Sequence, residues 1–115
     1  MKYDSIEINF IGQNDDGLAE RQTGKAATIN GNALEALEMF NIALEFNRKK
    51  LHPSAYYNSQ ILDTGDADAI KVPAFTKIRF YVYGNTEKIV KDSIEKIYNT
   101  AYGTALMAGC KVECL

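Results

Sequence analysis

The 115-residue sequence predicts an α+β protein, a two-layer sandwich with a four-stranded antiparallel sheet on one side and two helices on the other. Three observations carry that expectation. Residues 31–50 and the run from Thr86 to about Ala108 keep a helical period, while residues 5–11, 55–62, 76–83 and 110–115 have the alternation or composition of strands. The elements follow one another as βαββαβ, the split-βαβ or ferredoxin-like order. Right-handed crossovers then place the strands as fourth, first, third, second, with both helices on one face and the second and fourth strands at the edges.

Each element has a local cause. In residues 5–11, Ile6, Ile8 and Phe10 fall on one face, with Glu7 and Asn9 on the other. Residues 12–29 are polar and aperiodic, a long loop of the kind that is often functional. The first helix follows, with Asn30 or Asn32 as its N-cap and Arg48, Lys49 and Lys50 at its negative C-terminal end. Pro53 stops its continuation. Residues 55–62 alternate weakly and carry no charge, and residues 63–73 turn around Gly65 and Pro73. Residues 76–83, TKIRFYVY, are the clearest strand: Ile78, Phe80 and Val82 point inward, and Lys77, Arg79, Tyr81 and Tyr83 outward. Thr86 caps the second helix, whose apolar line is Val90, Ile94, Ile97, Ala101 and Ala105. Gly109 is its C-cap, and Cys110, Val112 and Cys114 face inward from the last strand.

The first helix carries more apolar surface than its own sheet can hide. Ala33, Leu37, Phe40 and Leu44 form one line flanked by Ala36 and Ala43, and Met39, Ile42 and Phe46 form a second. Together they span on the order of 200° of the wheel, against about 100° for a helix covering one core. The neighbouring edge strand also lacks the lysines and prolines that usually guard an edge, whereas the fourth strand has Lys111 and Glu113. The two features together predict a homodimer, with Met39, Ile42 and Phe46 packing across a two-fold axis and Tyr56, Asn58 and Gln60 in a strand that pairs with its twin.

Composition narrows the function classes. At 46% hydrophobic and 24% charged residues, the chain matches one ordinary globular domain over residues 1–115. No apolar run approaches a membrane span and no leader-like segment precedes the first strand, which points to a cytoplasmic protein. A net charge of −2 argues against nucleic acid as a partner. Cys110 and Cys114 would lie roughly 13 Å apart in a strand, beyond disulfide reach, and are expected as reduced core residues. With His52 they do not form a zinc set, so no metal is expected in this chain. His52 reads as a solvated side chain beside a helix end. Asp63, Asp66 and Asp68 read as a hydrated turn, since the calcium-loop glycine and glutamate are out of register. Gly12, Gly17 and Gly24 are too widely spaced to cradle a phosphate. Tyr81 and Tyr83 on the open face raise RNA binding as a rival, opposed by Glu7 and Asn9 on the first strand. A free-standing ferredoxin-like domain for ligand sensing or protein interaction is a further alternative.

From IEINFIG through GKAA, NALEAL, GDADAIKVP and RFYVYG to TALMAGCKVEC, the chain resembles the dimerisation (lid) domain of the zinc-dependent exopeptidases and amidohydrolases. That family includes glutamate carboxypeptidase, aminoacylase and aminobenzoyl-glutamate hydrolase. The resemblance implies that Met1 and Leu115 are interior points of a longer protein, whose catalytic domain holds zinc and hydrolyses peptide or N-acyl-amino-acid amide bonds. It also implies three substrate-facing positions, all of them substituted here. Lys25 stands where the family has histidine in Ala-His-Ala, Ile70 where it has the asparagine of Asn-x-x-Pro, and Tyr83 where many members have a carboxylate-binding arginine. Ile70 has no hydrogen-bonding group and Tyr83 no bidentate cation. The whole protein is then either a divergent, catalytically impaired relative or an active hydrolase that recruits other groups. This domain itself is expected to be non-catalytic.

Overall fold

A computed structural model describes residues 1–12, 31–65 and 73–115. The described residues form strands β1 (Lys2–Ile11), β2 (Tyr56–Asp63), β3 (Phe75–Gly84) and β4 (Lys111–Cys114), with helices α1 (Ala33–Asn47) and α2 (Glu87–Ala108). A 3-10 turn, Arg48–Lys50, closes α1. The sheet order is β2-β3-β1-β4 and every pairing is antiparallel, so the ferredoxin-like arrangement and both predicted edges are present.

Boundaries differ from the expectation in ways that matter. β1 starts three residues early, at Lys2, and pairs with β3 along its whole length, from Lys2 opposite Gly84 to Ile11 opposite Phe75. β2 runs one residue further, to Asp63, with a register shift between Ile61 and Asp63. The predicted unguarded edge therefore ends in a bulge and a charge, both of them edge guards. β4 is shorter than expected, at four residues.

The core is built where the apolar lines converge. Ile6, Ile8 and Phe10 of β1, and Ile78, Phe80 and Val82 of β3, are all buried. Ala33, Ala36, Leu37, Phe40 and Leu44 of α1 meet them from above. Phe40 stands between the strands, its ring 5.6 Å from Phe10 and 5.7 Å edge-on from Phe80, separations at which aromatic pairs attract beyond their area burial. α2 buries Val90, Ile97, Ala101 and Ala105 as predicted, together with two polar residues. Both polar side chains turn back onto their own helix: Ser93 donates to the Ile89 carbonyl at 2.7 Å, and Thr104 to the Thr100 carbonyl at 3.1 Å.

The caps are those that the sequence supplies. Asn32 accepts from the Leu34 and Glu35 amides at 3.0 Å each; the alternative, Asn30, lies outside the described residues. Thr86 accepts from Ile89 N–H. Gly109 ends α2 at φ 71°, a left-handed conformation that a Cβ would strain.

Two expectations concerning packing change. Asn9, expected on a solvated face, is 6% exposed; its Nδ2 donates to Glu113 Oε1 at 3.4 Å, and its buried Oδ1 has no partner among the described residues. Cys110 and Cys114 are free and only half-buried. Burial still pushes both thiols above their ordinary range, so they stay protonated at neutral pH.

Phe40→Ala is expected to cost about 3–5 kcal/mol in denaturant unfolding, since the cavity would open between both sheet contacts. Asn32→Ala is expected to cost about 1 kcal/mol through the lost cap.

Candidate functional site

β2 is the least covered of the described strands. Only Tyr57 among its eight residues is even half-buried, and Ile61 and Leu62 are exposed. α1 seats Phe40 over β1 and β3 and leaves β2 attached by its ladder to β3 and by Tyr57. That ring packs 5.4 Å from Phe80. Arg48 lies 4.9 Å over its face and donates to its hydroxyl at 3.3 Å. Burial raises the Tyr57 hydroxyl above its ordinary pKa despite Arg48 nearby.

The alternation of an antiparallel ladder decides which backbone groups remain free. Glu7 and Leu115 exchange both their hydrogen bonds, at 3.1 and 2.8 Å, so the odd residues of β1 bond toward β4 and the even ones toward β3. The even residues of β3 are then used by β1 and its odd residues by β2. Tyr83, Tyr81 and Arg79 pair with Tyr56, Asn58 and Gln60. The N–H and C=O groups of Tyr57, Ser59 and Ile61 therefore point out of the sheet.

This separates the six residues predicted at an interface. Tyr56, Asn58 and Gln60 hold β2 onto β3 and project from the open face of the sheet. Met39 is half-buried, while Ile42 and Phe46 are 62% and 73% exposed. All three lie on the outer surface of α1, away from the sheet. The two groups occupy opposite faces of the molecule and do not touch. What lies between them is a groove of about 400 Å³, walled by Asn41, Glu45 and Arg48 on one side and Tyr57, Ser59 and Ile61 on the other, with Ile78 and Phe80 in its floor. Sequence reading missed Tyr57, Ser59 and Ile61 as the outward-bonding set. The parity of the register was the missing signal.

The open face carries its own pattern. Tyr83 stacks on Tyr56 at 4.6 Å and 11°, and Tyr3 tilts against Tyr83 at 5.9 Å. Tyr83 is thus committed to a row of rings. One step further along the sheet, Arg79 Nε donates to Glu7 Oε1 at 3.1 Å, and Lys77 Nζ stands 3.8 Å from Glu7 Oε2. The Arg79 hydrogen bond is the main reason that the Glu7 carboxyl is held below its usual range.

The remaining candidates have local roles or fall outside the described residues. His52 Nδ1 accepts from Ser54 N–H at 3.0 Å, closing a turn. Asp63 accepts from Gly65 N–H at 2.9 Å. Lys25, Ile70, Asp66, Asp68, Gly17 and Gly24 lie outside the described residues. Among the described residues no three His, Cys, Asp or Glu side chains converge, so they do not fit a zinc ion. Nor is any described helix long and apolar enough to cross a membrane.

The class that this architecture defines is the ferredoxin-like sandwich found as a segment within amidohydrolase structures. The chain is similar to part of an aminobenzoyl-glutamate utilization protein from Klebsiella pneumoniae, at 19% identity and a TM-score of 0.72, over 97% of this chain and 27% of that one. It is similar to hydantoinase/carbamoylase family amidases from Burkholderia ambifaria (11% identity, TM-score 0.75, 98% of this chain and 26% of that one) and Burkholderia multivorans (10%, 0.71, 98% and 26%). At these identities the likeness is one of fold. The chain spans about a quarter of the length of each of these structures. No protein-family model matches the sequence, and a search of curated proteins finds no relative.

Because the folded pKa of Glu7 is depressed, its contribution to stability is present above the unfolded value and lost as pH falls through the folded one. Glu7→Gln is expected to flatten the acid limb of the stability–pH profile as pH falls through and below the ordinary carboxylate range, read as urea midpoints.

Proposed function

We propose that this chain is the dimerisation domain of an amidohydrolase-like protein, and that it pairs with a second copy through β2. The supporting observation is a strand covered by neither layer that directs the amides of Tyr57, Ser59 and Ile61 outward. An identical strand adding antiparallel across a two-fold axis at Ser59 would set Tyr57 opposite the partner's Ile61 and extend the sheet to about eight strands. The bulge at Ile61/Asp63 then limits the pairing to this short register. Side chains of the same three residues face the groove under α1, so the added strand would also close it. Exposed Ile42 and Phe46 on α1 extend the contact on the helix side.

In the longer protein the domain's role is association and not bond cleavage. Zinc and the amide-hydrolysing groups belong to the remainder of that protein, in line with the amidases whose segment shares this fold. Tyr83, where the resembled family places a substrate-binding arginine, is occupied in a stack with Tyr56. The substrate set of the whole protein therefore differs from that of members that grip a carboxylate there, whether it is a divergent relative or an active hydrolase using other groups.

Light scattering on the purified chain is expected to report a dimer. Ser59→Pro removes only an outward-pointing N–H, a position at which an edge strand tolerates proline. It is expected to give a folded monomer, with circular dichroism unchanged; a persistent dimer would remove β2 from the interface. Ile42→Asp is expected to weaken association at least about tenfold, and an unchanged constant would remove the helix face. The isolated chain is expected to hydrolyse no N-acyl-amino acid with or without added zinc, and turnover would overturn the non-catalytic assignment.

A further inference from the structure

The helical layer has a seam where the 3-10 turn that closes α1 meets the middle of α2. Two cavities open along it, of about 330 and 340 Å³, both within the range of roughly 300–1,000 Å³ typical of small-molecule sites. Asn47, Asn99 and Thr100 line the first, and His52, Lys88 and Asp92 the second. Lys50 and Lys96 line both and so stand in the wall between them.

The charges in this wall are not balanced by the protein. Asp92 is the one carboxylate that lines either cavity among the described residues, and Lys88 Nζ already holds it at 3.1 Å. Neither Lys50 nor Lys96 pairs with a carboxylate among the described residues. In a chain of net charge −2, two unpaired ammonium groups thus share one wall, an arrangement that repels unless an anion joins it.

The surroundings are ordered before any ligand arrives. Lys96 Nζ donates to the Lys50 carbonyl at 2.7 Å, which uses one of its three N–H groups and leaves two. A lysine held in this way has already lost side-chain freedom that binding would otherwise cost. Thr100 Oγ1 donates to the Lys96 carbonyl at 2.8 Å and accepts from Asn47 Nδ2 at 3.2 Å, so Asn47 is fixed with its Oδ1 left as an acceptor. Asn99 adds a second amide to the same cavity. His52 accepts at Nδ1 from Ser54 N–H, which puts the ring proton of its neutral form on Nε2 and makes it a donor.

We propose that this seam binds a small phosphomonoester, with the phosphate at Lys50 and Lys96 and its hydroxyl-bearing organic part in the cavity of Asn47, Asn99 and Thr100. A phosphate brings negative charge and three acceptor oxygens to two cationic donors. The amides suit hydroxyls, which both donate and accept. Two unpaired lysines are too few for a nucleic-acid backbone, whose binding takes several phosphate contacts. No residue of β2 takes part, so the site stands or falls independently of pairing through that strand.

The test is an amide-shift titration by NMR of the purified chain, with glycerol 3-phosphate, inorganic phosphate and glycerol as probes. Glycerol 3-phosphate is expected to give saturable shifts at Lys50, Lys96 and Asn99. Inorganic phosphate is expected to bind at the same residues more weakly, and glycerol to shift none of them. Lys96→Gln and Lys50→Gln are each expected to weaken glycerol 3-phosphate binding at least about tenfold, through the loss of one charge-assisted contact. Lys50→Gln keeps the backbone carbonyl that holds Lys96, so its effect is separate from any loosening of the turn. Lys91→Gln, on α2 but outside both cavities, is expected to change nothing. Absence of saturable shifts at Lys50 and Lys96 would overturn the site. So would an equal loss in Lys91→Gln, which would mark diffuse surface charge. Equal affinity for inorganic phosphate would overturn the ester and leave a site for the free ion only.

Discussion

The contact on which the architecture depends is Phe40 between Phe10 and Phe80. It fixes α1 over the β1–β3 pair, at the centre of the sheet, through three fully buried rings. Since one helix covers a strip about 10 Å wide, a helix held there cannot also lie over β2. The strand is left with a hydrogen-bonded flank, one half-buried tyrosine and an open groove. The exposure of β2 is thus a by-product of where the core places its largest side chains. Enlarging or shifting that contact would change the groove and the edge together.

Much of the fold was legible in the sequence because strong local signals agreed. The alternation in β3, the Thr86 cap, the left-handed Gly109 and the line of Ala33, Leu37, Phe40 and Leu44 each specify one conformation, and the tertiary structure contradicts none of them. The excess apolar width of α1 was also real: Ile42 and Phe46 are exposed in the single chain. Sequence pattern alone could not supply relative placement. A helical wheel says that a second stripe exists but not whether it leans toward β2 or away from the sheet, and here it points away. Period-2 alternation likewise assigns side chains to faces without saying which residues spend their backbone bonds inward. That parity is set by pairing with β3, a partner distant in sequence.

Asn9 shows a different limit. Its place on the open face followed from alternation and holds, but solvation did not follow from facing outward, because Asn9 lies between Lys77 and Glu113 of the flanking strands and hydrogen-bonds to the latter. On the same face, the Glu7–Arg79 pair and the row Tyr3, Tyr83, Tyr56 turn a surface expected to be merely hydrated into one ordered by cross-strand pairs. The tyrosine row also bears on the RNA rival, since Tyr83 already stacks on a neighbour and its base-sized face is partly taken.

Two backbone stems at one end of the sheet have a consequence for how this chain can change. Gly12 and Gly31 approach so closely that a Cβ on the first would fall on the carbonyl of the second, and a Cβ on Gly65 would meet Pro73 at 2.9 Å. Gly12 N–H donates to the Ala74 carbonyl at 2.7 Å and Ala33 N–H to the Pro73 carbonyl at 2.9 Å, so the two stems share one knot of main-chain bonds. Whatever leaves through them returns to a fixed point. A side chain in place of Gly12 would collide with this knot and one in place of Gly65 with Pro73, so substitution at either glycine reaches the sandwich behind it.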